Sequence, residues 1–146
     1  MKFEIELKES IGADKATVWK TINDLEQYSS WNPFVVKCQS TLDIGAPIIM
    51  WVKLIPGITL RQKETIFNKR EGEFLEYGIR VPLLLKSSRQ HIIRATSDSS
   101  CRYDSIFRLK GPLAPVVGGL LGKRLRAGFN GMTLGVRSES ERRYTL

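Results

Sequence analysis

Between residues 121 and 136 the apolar positions are Leu121, Leu125, Phe129, Met132 and Val136, in steps of four, four, three and four. Only an α-helix brings that spacing onto one face. Lys123, Arg126, Asn130 and Arg137 fall on the opposite side, so this helix is predicted to lie on an apolar surface with its back to water. Six of the twelve glycines also fall between Gly118 and Gly135, where each costs roughly 1 kcal/mol against alanine. At about 100° per residue, Gly118, Gly122, Gly128 and Gly135 lie on or beside the apolar stripe. Such glycines either admit a close neighbour or leave empty volume. The expectation is a sheet wrapped around this helix with a cavity between them.

Upstream the period changes to two. Phe3, Ile5 and Leu7 alternate with Glu4, Glu6 and Lys8, the pattern of a half-buried strand. Gly12 ends it, and Asp14 is placed to cap a helix carrying Val18, Trp19 and Ile22. Asp24 is placed to start a second short helix through Leu25 and Tyr28, and Pro33 forces an extended exit. Strands are then predicted at 35–39, 48–53, 60–68, 73–80, 86–96 and 101–109, punctuated by Gly45, Pro56-Gly57, Glu71-Gly72, Pro82 and Asp98-Ser99-Ser100. One strand, two short helices, six strands and a long terminal helix make an α+β domain with an antiparallel sheet. No linker, repeat or low-complexity segment divides residues 1–146, so one domain is expected.

Composition narrows the function classes. With 146 residues, 42% hydrophobic and 26% charged, the chain has the make-up of one globular domain. Its longest uncharged apolar run, 111–122, falls short of the roughly 20 residues that a membrane span needs. The opening MKFEIELKES has acids where a signal peptide has an apolar core, and two cysteines make no disulfide framework; both fit a cytoplasmic protein. One histidine and two distant cysteines, Cys38 and Cys101, argue against a zinc or iron site, and no cofactor is expected. The net charge of +8 is spread along the chain, with no run of aromatics between basic residues. That argues against nucleic acid and leaves a solvated surface or weak contact with an anionic membrane.

The run Ile11, Ala13, Val18-Trp19, Asp24, Tyr28 and Trp31-Asn32-Pro33-Phe34 resembles the opening of the START-like, or SRPBCC, superfamily. Cys101-Arg102-Tyr103 leading to Lys110-Gly111-Pro112-Leu113 resembles its last strand and the turn into the long helix. That superfamily includes polyketide cyclase/dehydrase-like proteins, plant Bet v 1-like proteins and lipid-transfer START domains. The resemblance implies a helix-grip fold: a curved seven-stranded antiparallel sheet around a long C-terminal helix, with two short helices after strand 1 and a deep pocket for apolar ligands. It does not imply one function, because this fold hosts carriers, receptors and cyclases.

Strand parity selects the pocket residues. In 101–109, Cys101, Tyr103, Ser105, Phe107 and Leu109 share the apolar face. In 60–68, Glu64 falls on the same side as Leu60, Gln62 and Ile66, and Leu75, Tyr77 and Ile79 add apolar wall. Both faces of 86–96 carry one arginine, so parity leaves that strand open; the inward histidine usual in the superfamily selects Arg89, His91, Ile93 and Ala95. The candidate ligand-binding residues are therefore Trp31, Phe34, Glu64, Tyr77, Arg89, His91, Tyr103, Phe107, Leu121, Leu125, Phe129 and Met132, with no catalytic or metal-binding residue assigned. Glu64 and Arg89 have an alternative as a mutual ion pair, and His91 one as hydrogen-bonded scaffold. The aromatics have an alternative as plain core.

Two connections, 54–58 and 81–85, are apolar where loops are ordinarily polar. In START-like proteins the matching places border the pocket mouth; otherwise they cap the core. Three functions fit. The first is binding or transport of a lipid-like or aromatic, polyketide-like small molecule. The second is a cyclase or dehydratase acting on such a ligand through Glu64, His91 and tyrosines. The third is a macromolecular interaction protein with a vestigial pocket. The ligand's identity and the oligomeric state stay open.

Overall fold

A computed structural model of the protein describes residues 2–146. The amino-terminal alternation becomes β1 (Lys2–Ile11). Helix α1 (Lys15–Asn23) begins where expected, the Thr17 amide donating to Asp14 Oδ1 at 2.9 Å, and buries Val18, Trp19 and Ile22. One 3₁₀ turn (Leu25–Gln27) and α2 (Tyr28–Trp31) follow. The Asp24 side chain does not cap that turn; it pairs instead with Arg143 at 3.2 Å, tying the turn to the end of the chain. The amides of Phe34 and Val35 both donate to Asn32 Oδ1, at 3.0 and 2.9 Å, fixing the turn into β2 (Val35–Gln39).

The remaining strands are β3 (Pro47–Ile55), β4 (Ile58–Arg70), β5 (Phe74–Gly78), β6 (Arg80–Val81), β7 (Leu85–Ser97) and β8 (Ser100–Lys110). They pair antiparallel in the order β1-β8-β7-β5-β4-β3-β2, with β6 alone on β7. The expected strand 73–80 is thus split in two. A Cβ at Gly78 would run into the Ser87 carbonyl, so only glycine lets the chain cross there before β6 resumes. Register shifts in β2, β3, β4 and β7 bend the sheet. Segment 54–58 is mostly hairpin rather than loop: Ile55 pairs with Ile58 across Pro56-Gly57, and Gly57 has φ +77°.

Helix α3 (Ala114–Tyr144) runs unbroken through all six glycines, with Pro115 in its first turn. Leu125, Phe129, Met132 and Val136 are buried and Leu121 is half-buried. Lys123, Arg126, Asn130 and Arg137 are exposed. The helix packs closest to β1, α1, α2, β3 and β8 and stands off from β4, β5 and β7. This is the helix-grip arrangement, and the stand-off makes the space beneath the helix. The glycines do not make it. A Cβ at Gly118 would lie 2.6 Å from Phe3, one at Gly135 2.9 Å from the Trp31 ring, and one at Gly128 would collide with the Phe34 ring. They seat aromatic rings against the helix backbone, so of the two alternatives the close neighbour holds rather than empty volume.

Candidate ligand cavity

Beneath α3 lies a cavity of about 190 Å³. Of the twelve candidate residues, Phe34, Glu64, Tyr77, Arg89, Phe107, Leu121, Leu125, Phe129 and Met132 line it. His91 and Tyr103 face the same side of the sheet but sit deeper, completely buried behind that lining. Trp31 does not reach the cavity; its ring packs on Gly135 and edge-on to Tyr28, with centroids 5.0 Å apart. Ala95, expected inward with His91, is exposed where β7 extends past the core. Met50, Val52, Leu54, Leu85 and Val117 complete the apolar wall and were not among the candidates. Phe129 meets Phe34 edge-on at 5.0 Å and Phe107 at 4.6 Å between ring centroids, closing the roof.

The polar groups divide into two sets. In the first, His91 is held between two tyrosines. Its Nε2 is 3.1 Å from the Tyr77 hydroxyl oxygen and its Nδ1 2.6 Å from that of Tyr103. Burial, helped by the nearby Arg89 cation, holds the imidazole pKa well below 6.5, and burial raises both phenols. Both ring nitrogens are engaged and the ring lies outside the lining, which is the geometry of scaffold.

The second set faces the cavity. Arg89 is 3% exposed. Its Nη1 donates to Ser105 Oγ at 2.7 Å and, more weakly, to the Gln90 and Ile106 carbonyls at 3.3 and 3.5 Å. Nη2 touches only Met132 Sδ, at 3.6 Å, and Nε–H has no partner. The guanidinium carbon stands 4.8 Å from the Phe129 ring centroid. Thr133 Oγ1, donating to the Phe129 carbonyl at 2.7 Å, lies 2.9 Å from Ser105 Oγ and steadies it. Glu64 shares the cavity but is not among the partners of Arg89, so the mutual ion pair is not made. Burial raises the Glu64 carboxyl to about 7, with the Arg89 cation opposing.

On the outer face of β3, Trp51 points away from the cavity beneath Lys37 and Arg61, at 4.7 and 5.8 Å.

A family model described as polyketide cyclase / dehydrase and lipid transport matches residues 2–134. No curated protein sequence matches the chain. Among solved structures, a START superfamily protein from Mycobacterium smegmatis is similar at TM-score 0.76 and 14% identity, covering 95% of this chain and 97% of that one. The Zhui aromatase/cyclase from a Streptomyces species is similar at 0.74 and 14%, covering 98% and 96%. Norcoclaurine synthase from Thalictrum flavum, solved with dopamine and hydroxybenzaldehyde, is similar at 0.69 and 13%, covering 94% and 86%. At these identities the likeness establishes the fold.

Proposed function

The chain belongs to the polyketide cyclase / dehydrase and lipid transport family, and on that premise we propose that it binds and carries a hydrophobic small molecule beneath α3. In this reading residues 1–146 act as one START-like ligand-binding domain. The observation that carries it is the cavity itself, walled by Phe34, Phe107, Leu121, Leu125 and Phe129 with few polar groups. Apolar walls supply affinity, and convergent polar groups orient the ligand. Native mass spectrometry of protein purified from its own host, followed by extraction, tests this. An apolar molecule should come with the wild type and be lost from Leu121→Trp, which fills the cavity at its half-buried edge. The same molecule recovered from both would place it elsewhere.

One observation favours a second reading, proton-transfer chemistry of the cyclase or dehydratase kind. A carboxyl titrating at about 7 inside an apolar cavity is poised as acid or base near neutral pH. Glu64→Gln separates the readings: a carrier keeps binding unchanged, whereas an enzyme keeps binding and loses turnover.

Loading is proposed to occur at an anionic membrane surface. Leu83 is 94% exposed at the β6–β7 turn, with Val81 and Leu84 beside it. The Leu113 amide donates to the Leu84 carbonyl at 3.2 Å, so this turn adjoins the start of α3, where Leu113, Val116 and Leu120 are also exposed. Arg80, Lys86 and Lys110 line the groove beside the turn. Leu85 and, from the other hairpin, Leu54 reach the cavity from segments that border separate outer grooves. No helix among the described residues is long and apolar enough to cross a membrane.

A further inference from the structure

An arginine at the wall of an apolar cavity needs a counter-charge, because an ion removed from water without one is strongly disfavoured. Although Glu64 shares the cavity, among the described residues no carboxylate pairs with Arg89. Its Nη1 is spent on a serine hydroxyl and two carbonyls, all neutral. Nη2 has only a thioether, and Nε–H has nothing, although the side chain is almost wholly buried. The fork is held in place from behind, by Ser105 backed by Thr133 and by the Phe129 ring beneath it. A guanidinium so fixed, with unused N–H donors and a face on the cavity, matches a planar two-oxygen acceptor.

We propose that the ligand of this cavity is a small apolar carboxylic acid, bound as its carboxylate on the free donors of Arg89 with its hydrocarbon part against Phe34, Phe107, Leu121 and Leu125. This deepens the carrier reading and rests on it. Size sets the rest of the class. A cavity of roughly 150 Å³ holds one benzene ring, so 190 Å³ accommodates a single ring or a short chain together with the carboxylate. Fused multi-ring ligands exceed it. An amine would meet the Arg89 cation, and a neutral ligand would leave the guanidinium unpaired. Glu64, the carboxyl on the lining, makes no hydrogen bond to Arg89 and leaves its donors free for the incoming acid.

The test uses three probes against the full chain by titration calorimetry at pH 6: toluene, 3-phenylpropanoate and the neutral 3-phenylpropanamide, which has nearly the same shape. Wild type should bind the acid at least about tenfold more tightly than the amide, a difference that one charge-assisted pair supplies. Arg89→Met should lose that preference while retaining toluene. Since removal of Arg89 can also disturb Ser105, the Nε–H resonance of Arg89 in wild type gives an independent readout, and it should shift with the acid and not with the amide. If toluene binds but the amide matches or beats the acid, the acid-headed ligand is overturned and the carrier reading stands. If toluene, acid and amide all fail to bind, both readings fall.

Discussion

His91 Nδ1 lies 2.6 Å from the Tyr103 hydroxyl oxygen, the two rings stacked with their planes 8° apart and neither reached by water. Tyr103→Phe removes the partner and leaves a buried ring nitrogen unsatisfied, which costs about 1–3 kcal/mol. Urea denaturation should show that loss, and ligand affinity should not change, because neither residue lines the cavity. Normal stability with lost binding would mean that the histidine acts on the ligand.

A second expectation concerns pH, with opposite signs for two groups. His91, facing Tyr77, Tyr103 and Arg89, stays neutral when folded. Below 6.5 the unfolded chain takes up a proton that the folded one refuses, so stability from this ring rises with pH up to about 6.5. Glu64, facing Arg89, Tyr77 and Cys38, is raised from 4.5 to about 7. Between those values the folded protein holds a proton that the unfolded chain has lost, and stability falls as pH rises. The two slopes oppose each other between 4.5 and 6.5. Glu64→Gln removes one and should expose the other, steepening the rise by up to about 1.4 kcal/mol per pH unit. Parallel wild-type and variant profiles would show that Glu64 is not raised.

The side on which each residue sits was readable where the sequence alternates or repeats cleanly. The stripe from Leu121 to Val136 and the parity of Tyr103, Ser105 and Phe107 needed only the periods of helix and strand. In β3 the run PIIMWVKLI is apolar at almost every position, so parity could not assign Met50, Val52 and Leu54 to the cavity and Trp51 to the outside. In β7 parity left the inward face open and the resemblance to the superfamily chose it; both give side without depth, which is why His91 and Tyr103 were grouped with Arg89 though they lie behind it. The helix glycines were visible as positions, but their neighbours Phe3, Trp31 and Phe34 are about a hundred residues away in sequence.

That packing makes a paired prediction. A Cβ at Gly119 meets nothing within 4 Å, whereas one at Gly128 collides with Phe34. Gly119→Ala should stabilise by up to about 1 kcal/mol through helix propensity. Gly128→Ala gains the same propensity but forces the Phe34 ring aside, an overpacking cost of about 1–3 kcal/mol, and should be net destabilising. Melting temperatures moving in the same direction for both variants would mean that Phe34 is not held against the helix.

The last prediction concerns the β6–β7 turn. Leu83 has φ +67°, a conformation that costs a non-glycine residue roughly 1–2 kcal/mol, and it is the most exposed leucine of the chain's apolar cluster, at 94%. Buried in a bilayer interface, that side chain would recover about 1.5–3 kcal/mol. Arg80, Lys86 and Lys110 beside it would add about 1 kcal/mol each near anionic lipid. Wild type should therefore co-sediment with anionic vesicles at low salt and be released as salt rises, since screening shortens from about 10 Å at 0.1 M to about 3 Å at 1 M. Leu83→Glu and Lys86→Glu should both weaken binding. Ile44→Glu is the control, because Ile44 is also an exposed apolar residue, at 61% exposure, but lies on the β2–β3 connection. Wild type left in the supernatant with anionic and neutral vesicles alike, or equal losses from Leu83→Glu and Ile44→Glu, would remove the membrane from this turn.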